Sequence, residues 1–316
     1  MTRIALLDDY QNVARKMADW SALPSGTEVV AFPDHLTEED ALVARLSDFD
    51  IVMAMRERTP FPRSVISRLP ALKLLVTAGM RNASIDLDAA RDHGVTVCGT
   101  EGQPHATAEL TWGLILACLR HIPLEDKATR EGHWQLDVGL GVAGRTLGVL
   151  GLGRLGSHVA SIGLAFKMNV IAWSPNLTDE RAAEIGVTRV TKEELLSSSD
   201  ILSIHVILGD RSRGTIGKAE LASMKPSAYL INTSRGPIVD EAALVEALQN
   251  GTIAGAGLDV FDVEPLPLDH PLRQLANTVI TPHVGYVTRE TYESFYGGTL
   301  EAIQAYLSGN PIRVIT

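Results

Sequence analysis

The sequence predicts an α/β fold made of two doubly wound parallel sheets. Three observations carry this. Short apolar runs alternate with helical stretches over residues 3–98, and the same alternation returns over residues 146–280. Alternation of this kind builds parallel sheets with helices on both faces. At the head of the second series, the apolar run Thr146–Leu150 leads into Gly151, Gly153 and Gly156. These are followed by Val159, Ile162, Gly163 and Phe166 at helical spacing. A Gly-X-Gly-X-X-Gly turn between a strand and a helix is the entry of a Rossmann-type dinucleotide fold.

In chain order, Arg3–Leu7 reads as a buried strand closed by Asp8 and Asp9, at the end where open α/β sheets gather ligands. Val13–Leu23 is a helix stopped by Pro24 and Gly26. A strand follows at Glu28–Phe32. Thr37 is placed as the N-cap of a helix with an acidic first turn, running to Leu46. Strands at Ile51–Ala54, Leu72–Thr77 and Val95–Cys98 alternate with helices at Ser64–Leu69 and Ile85–His93. Thr107–His121 is a long helix apolar on most sides, which predicts burial all round. Residues 127–144 read as irregular; within them Trp134 is expected in the core, or at the wall of a pocket. The second series has six strands: Thr146–Leu150, Val170–Trp173, Ile201–Val206, Tyr229–Asn232, Gly255–Leu258 and Thr278–Ile280. Its clearest helices are Asp179–Ile185, Lys192–Leu196, Lys218–Ser223 and Glu241–Asn250. A last helix spans Glu290–Ser308.

Composition narrows the function classes. With 316 residues and 45% apolar content, the chain has material for two cores. A net charge of −10 argues against nucleic acid or an anionic membrane as partner, though not against a small anionic substrate in a local cationic pocket. Cys98 and Cys118 sit in no CxxC or Cys/His cluster, so neither a disulfide nor a metal site is expected. The N-terminus lacks a signal-peptide layout, and the longest apolar helix falls short of the ~20 residues of a membrane span. A soluble, cytoplasmic protein is expected.

Three residues follow the late strands of the second series. Arg235 precedes Gly236, Glu264 precedes Pro265, and His283 lies between Pro282 and Val284-Gly285. Singly, each has a plain structural reading as a surface arginine, a solvated turn or a turn histidine. Together, at the carboxyl ends of parallel strands behind a dinucleotide turn, they suit one reaction. Arg235 can hold a carboxylate by two parallel hydrogen bonds. His283 can pass a proton to or from a hydroxyl or carbonyl oxygen. Glu264 can bond the other imidazole nitrogen and fix its tautomer. A nicotinamide would carry the hydride.

Here the chain resembles the D-isomer-specific 2-hydroxyacid dehydrogenase family, which includes phosphoglycerate, glyoxylate/hydroxypyruvate and D-lactate dehydrogenases. The resemblance rests on Asn232–Leu244 around Arg235, on Gly257–Phe261 with Glu264-Pro265, on Thr281–Gly285 around His283, and on Asp200–Val206 with His205. It covers about residues 70–310. It implies that Arg235, Glu264 and His283 are catalytic, and that Gly151, Gly153, Arg154, Leu155 and Gly156 surround the pyrophosphate. It places Ser174, His205, Thr233 and Asp259 on the cofactor, Asp259 near its carboxamide end. The substrate loop maps onto Ala78–Asn82, where Gly79, Met80 and Arg81, with their backbone N–H groups, would hold the substrate carboxylate opposite Arg235. The resemblance further implies a flavodoxin-like, discontinuous substrate domain at 1–98 and 286–316, interrupted by a Rossmann domain at 99–285. Hinges would lie near 99 and 285, and two copies would form a homodimer.

Three features depart from the family pattern. The acidic residue that takes the ribose hydroxyls should fall at Ser174, in Trp173-Ser174-Pro175-Asn176, with Arg181 close by in sequence; both NAD and NADP therefore stay open. Met80-Arg81-Asn82-Ala83 stands where many members carry small residues and an acidic one; Arg81 is open to contact with an anionic substrate or to packing against the cofactor domain, which leaves the 2-keto or 2-hydroxy acid unspecified. No segment after Thr316 supplies an effector module, so feedback of that kind is not expected. Two other readings share this fold. Formate dehydrogenases resemble the family in fold but usually carry glutamine as the histidine's partner, and Glu264 speaks against that. Dinucleotide-sensing corepressors share the fold and act through protein partners.

Overall fold

The computed structural model describes residues 1–103 and 105–315. The chain divides into two compact units, Met1–Gln103 with Val287–Thr316, and Pro104–Tyr286.

The first unit contains strands β1 (Thr2–Leu6), β2 (Thr27–Ala31), β3 (Ile51–Ala54), β4 (Leu74–Thr77) and β5 (Thr96–Gly99). Between them lie helices α1 (Ala14–Met17), α2 (Glu39–Leu46), α3 (Arg63–Ile66) and α4 (Leu87–Asp92). The strands are all parallel in the order β2-β1-β3-β4-β5, the doubly wound order of flavodoxin-like sheets. Every residue of β3 and β4 is buried, so these strands read as unbroken apolar runs. The closing helix Arg289–Leu307 belongs to this unit and packs on β4 and β5. It buries Tyr292, Phe295, Tyr296, Thr299, Ala302 and Ile303, spaced three and four apart along one face.

Local polar contacts explain where the elements differ from expectation. The helix expected over 13–23 breaks into α1 and a 3-10 turn at Trp20–Ala22. Asp19 accepts from both the amide and the hydroxyl of Ser21, a local alternative to the helical bond. Thr37 is not the N-cap of α2; Glu38 holds that place, without a side-chain cap bond. Asp8 and Asp9, at the ligand end of β1, are both taken up inside the unit. Asp8 is 1% exposed, accepts from Thr59 Oγ1 at 2.7 Å and lies 2.8 Å from His35 Nδ1. Asp9 accepts from the amides of Val13 and Ala14.

The second unit opens with α5 (Ala106–Leu119) and α6 (Ile122–Arg130). It continues through β6 (Thr146–Leu150), α7 (Arg154–Ala165), β7 (Asn169–Trp173), α8 (Asp179–Ile185), β8 (Thr188–Arg189), α9 (Lys192–Ser198) and β9 (Ile201–Ile204). Then come α10 (Lys218–Ser223), β10 (Tyr229–Asn232), α11 (Glu241–Gln249), β11 (Gly255–Leu258) and β12 (Thr278–Ile280). The parallel sheet runs β12-β11-β10-β9-β6-β7-β8. Winding starts at β6, goes outward to β8, then crosses to β9 and onward. The point where the order reverses, between β6 and β9, is where such sheets bind ligands.

This sheet has seven strands where six were expected. The extra one, β8, is two exposed residues at the sheet edge, too short to leave an apolar period. The stretch read as irregular from residue 127 begins inside α6, which starts at Ile122 and carries proline in its first turn. Trp134 is 77% exposed and is not a core residue. The apolar α5 packs against β10, β11, β12 and α7, which buries Trp112, Leu114, Ile115, Cys118 and Leu119. Both cysteines are free and buried. Burial pushes the Cys118 thiol up to about 12, so it behaves as a small apolar side chain.

Candidate active site

The glycine turn is built as its sequence requires. Gly151 has φ +101°, a region that L side chains rarely adopt. Its amide donates to Trp173 O at 2.8 Å, tying the turn to the end of β7. A Cβ on Gly156 would lie 2.0 Å from Gly151 O, so only glycine lets α7 start against the turn. A Cβ on Gly153 would meet nothing within 4 Å, so the space above the second glycine is open. Gly153 is the N-cap of α7 and provides no side-chain cap, which leaves first-turn amides for a ligand. Arg154 is exposed and Leu155 half-buried in that first turn. Beneath the turn, His205 donates its amide to Leu150 O at 2.7 Å, and its Nε2 lies 2.8 Å from Ser203 Oγ. Its Nδ1 is buried without a partner. Burial lowers the imidazole to about 4, so the ring is neutral. An open backbone cradle, an uncapped helix start and an orphaned ring nitrogen fit the pyrophosphate region of a dinucleotide.

The three residues after the late strands converge. His283 Nδ1 lies 2.5 Å from Glu264 Oε2, and Glu264 Oε1 accepts from the Phe261 amide at 2.9 Å. Burial alone would push the Glu264 carboxyl up. The hydrogen bond and charge of His283, the Phe261 amide and the Arg235 guanidinium outweigh it, and the carboxyl ends below its usual range. His283 itself sits at φ +52°. Its backbone is held there by Asp259, which accepts from Thr281 Oγ1 at 2.6 Å, the Val284 amide at 2.8 Å and the Gly285 amide at 2.7 Å. Asp259 is fully buried, and burial raises its carboxyl despite these donors. One short segment after β11 thus carries two acids that fix the histidine, Asp259 through the backbone and Glu264 through the ring.

Arg235 approaches this segment because Gly236 lacks a side chain. A Cβ on Gly236 would lie 2.1 Å from the Phe261 carbonyl carbon. Arg235 is half-buried; its Nη1 donates to Ser234 O at 2.7 Å, and Asn232 Nδ2 donates to its carbonyl at 2.9 Å. Thr233 is 7% exposed and shares a 2.8 Å hydrogen bond with Thr111 on α5. Tyr286 packs edge-on to the His283 ring, with centroids 5.8 Å apart. Sequence reasoning missed it, although its place three residues after the histidine was visible.

In the first unit, the loop after β4 is shaped by Gly79, at φ +91°, against which the Arg56 guanidinium packs. Two of the amides expected to meet a ligand are taken up inside the unit: Ala78 N donates to Ala54 O and Gly79 N to Thr100 Oγ1. Asn82 Nδ2 donates to Arg56 O and Thr77 Oγ1. Met80 and Arg81 are exposed. Arg58, on the loop after β3, donates to Asp8 O and lies over the Tyr10 ring. No spacing signal in the sequence singles out this last pair. Among the described residues no His/Cys/Asp/Glu group could hold a metal ion, and no helix is long and apolar enough to cross a membrane.

Comparison with known proteins gives the family. The sequence model of the D-isomer specific 2-hydroxyacid dehydrogenase NAD binding domain matches residues 112–285. The chain is 39% identical over 270 residues to D-3-phosphoglycerate dehydrogenase of Bacillus subtilis, covering 84% of this chain and 51% of the relative. It is 44% identical over 237 residues to glyoxylate reductase of Aeropyrum pernix, covering 72% of this chain and 71% of the relative. The crystal structure of a phosphoglycerate oxidoreductase from Vibrio cholerae superposes with a TM-score of 0.93 at 37% identity, covering 98% of this chain and 100% of that one. The chain spans about half the length of the Bacillus subtilis dehydrogenase it matches.

Proposed function

Because the chain belongs to the D-isomer specific 2-hydroxyacid dehydrogenase family, we propose that it interconverts a D-2-hydroxy acid and its 2-keto acid with NAD(P). The observation that carries the reading is the His283–Glu264 pair, braced by Asp259 and approached by the Arg235 loop. The bound nicotinamide supplies or takes up the hydride at C2 of the substrate. His283 serves as acid and base. With Nδ1 held on the Glu264 carboxylate, Nε2 is the atom that hands a proton to the carbonyl oxygen in reduction and removes it from the hydroxyl in oxidation. Arg235 binds the substrate carboxylate as a planar, two-pronged donor. Gly151, Gly153, Arg154, Leu155 and Gly156 hold the pyrophosphate, with Ser174, His205 and Thr233 along the rest of the cofactor. In the first unit, Met80 and Arg81 are assigned to substrate binding, with Gly79, whose amide is held by Thr100, shaping their loop, and Arg81→Ala tests that unit's share.

The test follows reduced-nicotinamide absorbance with glyoxylate, hydroxypyruvate, pyruvate and phenylpyruvate. Oxidation of the cofactor by a keto acid, and a loss of about 10²–10⁴-fold in turnover in His283→Ala with dinucleotide affinity kept, support the assignment. An unchanged rate in that variant removes His283 from the mechanism. Equal use of plain ketones contradicts the carboxylate clamp.

The same reading includes a homodimer and a cytoplasmic setting, where Cys98 and Cys118 stay reduced. The second unit exposes Ile122, Leu124, Trp134, Leu136 and Val138 on α6 and the stretch after it, with Trp134 at 77% and Val138 at 88%. So much exposed apolar surface fits a subunit interface. Sedimentation of Trp134→Glu as a monomer, against a dimeric parent, supports the dimer; a monomeric parent contradicts it.

A further inference from the structure

We propose that the adenosine end of the dinucleotide site is shaped for a 2′-phosphate, so that the chain binds NADP(H) in preference to NAD(H). The inference rests on the dinucleotide reading above and deepens it. NAD-selective sites of this fold place a carboxylate just past the second strand to hold the ribose hydroxyls, and that carboxylate repels a phosphate. Here the position is occupied by Ser174. It is the first residue after β7, next to Trp173, whose carbonyl holds the Gly151 amide. Ser174, Pro175 and Asn176 carry no charge, and the Leu177 amide folds back onto Ser174 O at 3.1 Å to close the turn.

Two arginines lie on the helices that precede and follow β7 in the chain. Arg181, on α8, reaches across to α7, where its Nη2 lies 3.5 Å from Ser157 Oγ. Arg154, the first residue of α7, is exposed and makes no hydrogen bond or ion pair among the described residues. A guanidinium is the natural partner of a phosphate, through two parallel hydrogen bonds. The carboxylates of α8 do not reverse this balance. Asp179 pairs with Arg189 at 3.2 Å. Glu184 holds the other nitrogen of Arg181 at 2.8 Å, which steadies the guanidinium while Nη2 faces Ser157. Glu180 is exposed in the first turn of α8. Arg181 and the Ser174 hydroxyl then donate to the 2′-phosphate.

The test is calorimetric titration of the full chain with NADP⁺ and with NAD⁺, which needs no substrate and no turnover. NADP⁺ is expected to bind about ten- to a hundredfold tighter, the worth of one or two charge-assisted hydrogen bonds. The gap should narrow as salt is raised. Arg181→Gln should weaken NADP⁺ and leave NAD⁺ affinity and the melting temperature unchanged, which a merely structural arginine would not do. Ser174→Asp should reverse the preference. NAD⁺ binding as tight as NADP⁺ in the parent overturns the proposal and leaves the dinucleotide reading standing. Binding of neither overturns both.

Discussion

Exchanging Glu264 for glutamine probes the centre of the proposed chemistry while keeping its shape. In the parent, one carboxylate oxygen faces His283 Nδ1 at 2.5 Å and the other accepts from the Phe261 amide at 2.9 Å. In the variant the amide oxygen has to stay on the Phe261 N–H, because the reverse placement sets two donors face to face. The new NH₂ then points at Nδ1, which becomes an acceptor. A neutral His283 is left with its proton on Nε2, and so cannot take one from a substrate hydroxyl. Loss of a hydrogen bond to a charged partner is worth about 1.5–3 kcal/mol. At about 1.36 kcal/mol per tenfold, that is a loss of about ten- to a hundredfold in rate. Holding the wrong tautomer adds to it, up to about 10⁴-fold in all. The assay is initial rates in both directions by nicotinamide absorbance, with dinucleotide affinity measured by calorimetry. Since the equilibrium of the reaction is untouched, kcat/KM must fall by one factor in both directions. Glu264→Asp keeps the charge but is one methylene shorter and cannot reach both partners, so it should fall between parent and glutamine variant. A glutamine variant as fast as the parent would refute the orienting role of Glu264.

Other outcomes are equally specific. Gly156→Ala puts a Cβ 2.0 Å from Gly151 O and should cost about 1–3 kcal/mol of stability along with dinucleotide binding, read by thermal melts with and without cofactor. Gly153→Ala meets nothing within 4 Å and should melt like the parent yet bind the dinucleotide less tightly; normal affinity would move the pyrophosphate elsewhere. Burial lowers His205 from 6.5 to about 4, so the unfolded chain binds its proton first as pH falls. Its contribution to stability is whole above 6.5 and is lost as pH falls toward 4, by about 3 kcal/mol at about 1.4 per unit. Denaturant melts of the parent and His205→Gln across that range check it, the variant being expected to show the flatter slope. Glu264, held below its usual value of 4.5, adds acid lability only in the lower window, as pH falls through its own titration.

The fold was legible because its signals are local. Both series of strands lie on apolar runs bounded by Gly, Pro or acidic residues, and a parallel strand covered on both faces, such as β3 or β4, leaves an unbroken run that needs no partner to be seen. What escaped has no local signal. Strand β8 is two exposed residues, defined only by pairing of Thr188 and Arg189 with β7. Trp134 was expected inside because tryptophan is usually buried; its 77% exposure follows from the stretch after α6, which no periodicity describes. Asp8 and Asp9 stood where ligands gather, but only the fold shows that Thr59, with His35 beside it, and the start of α1 take up their oxygens.

The site divides along the same line. The residue types and the carboxyl-end positions of Arg235, Glu264 and His283 could be read from the chain, because each follows a strand that can itself be read. What holds them together could not. Gly236 looks like an ordinary loop glycine until the Phe261 backbone is found 2.1 Å from where its Cβ would be. Asp259 was assigned beside the cofactor by resemblance, and no local pattern showed that its oxygens also accept from Thr281, Val284 and Gly285. Those bonds hold His283 at φ +52°, a backbone conformation that a histidine keeps only when its surroundings impose it. Removal of the Asp259 carboxylate should therefore act on the ring through the loop. Asp259→Ala leaves the buried Gly285 amide and the part-buried Val284 amide without acceptors, and the His283–Glu264 bond loses its fixed geometry even though neither partner is changed. The His283–Glu264 pair proposed to transfer the proton is thus only as well placed as a buried acid that need not itself touch the reacting atoms.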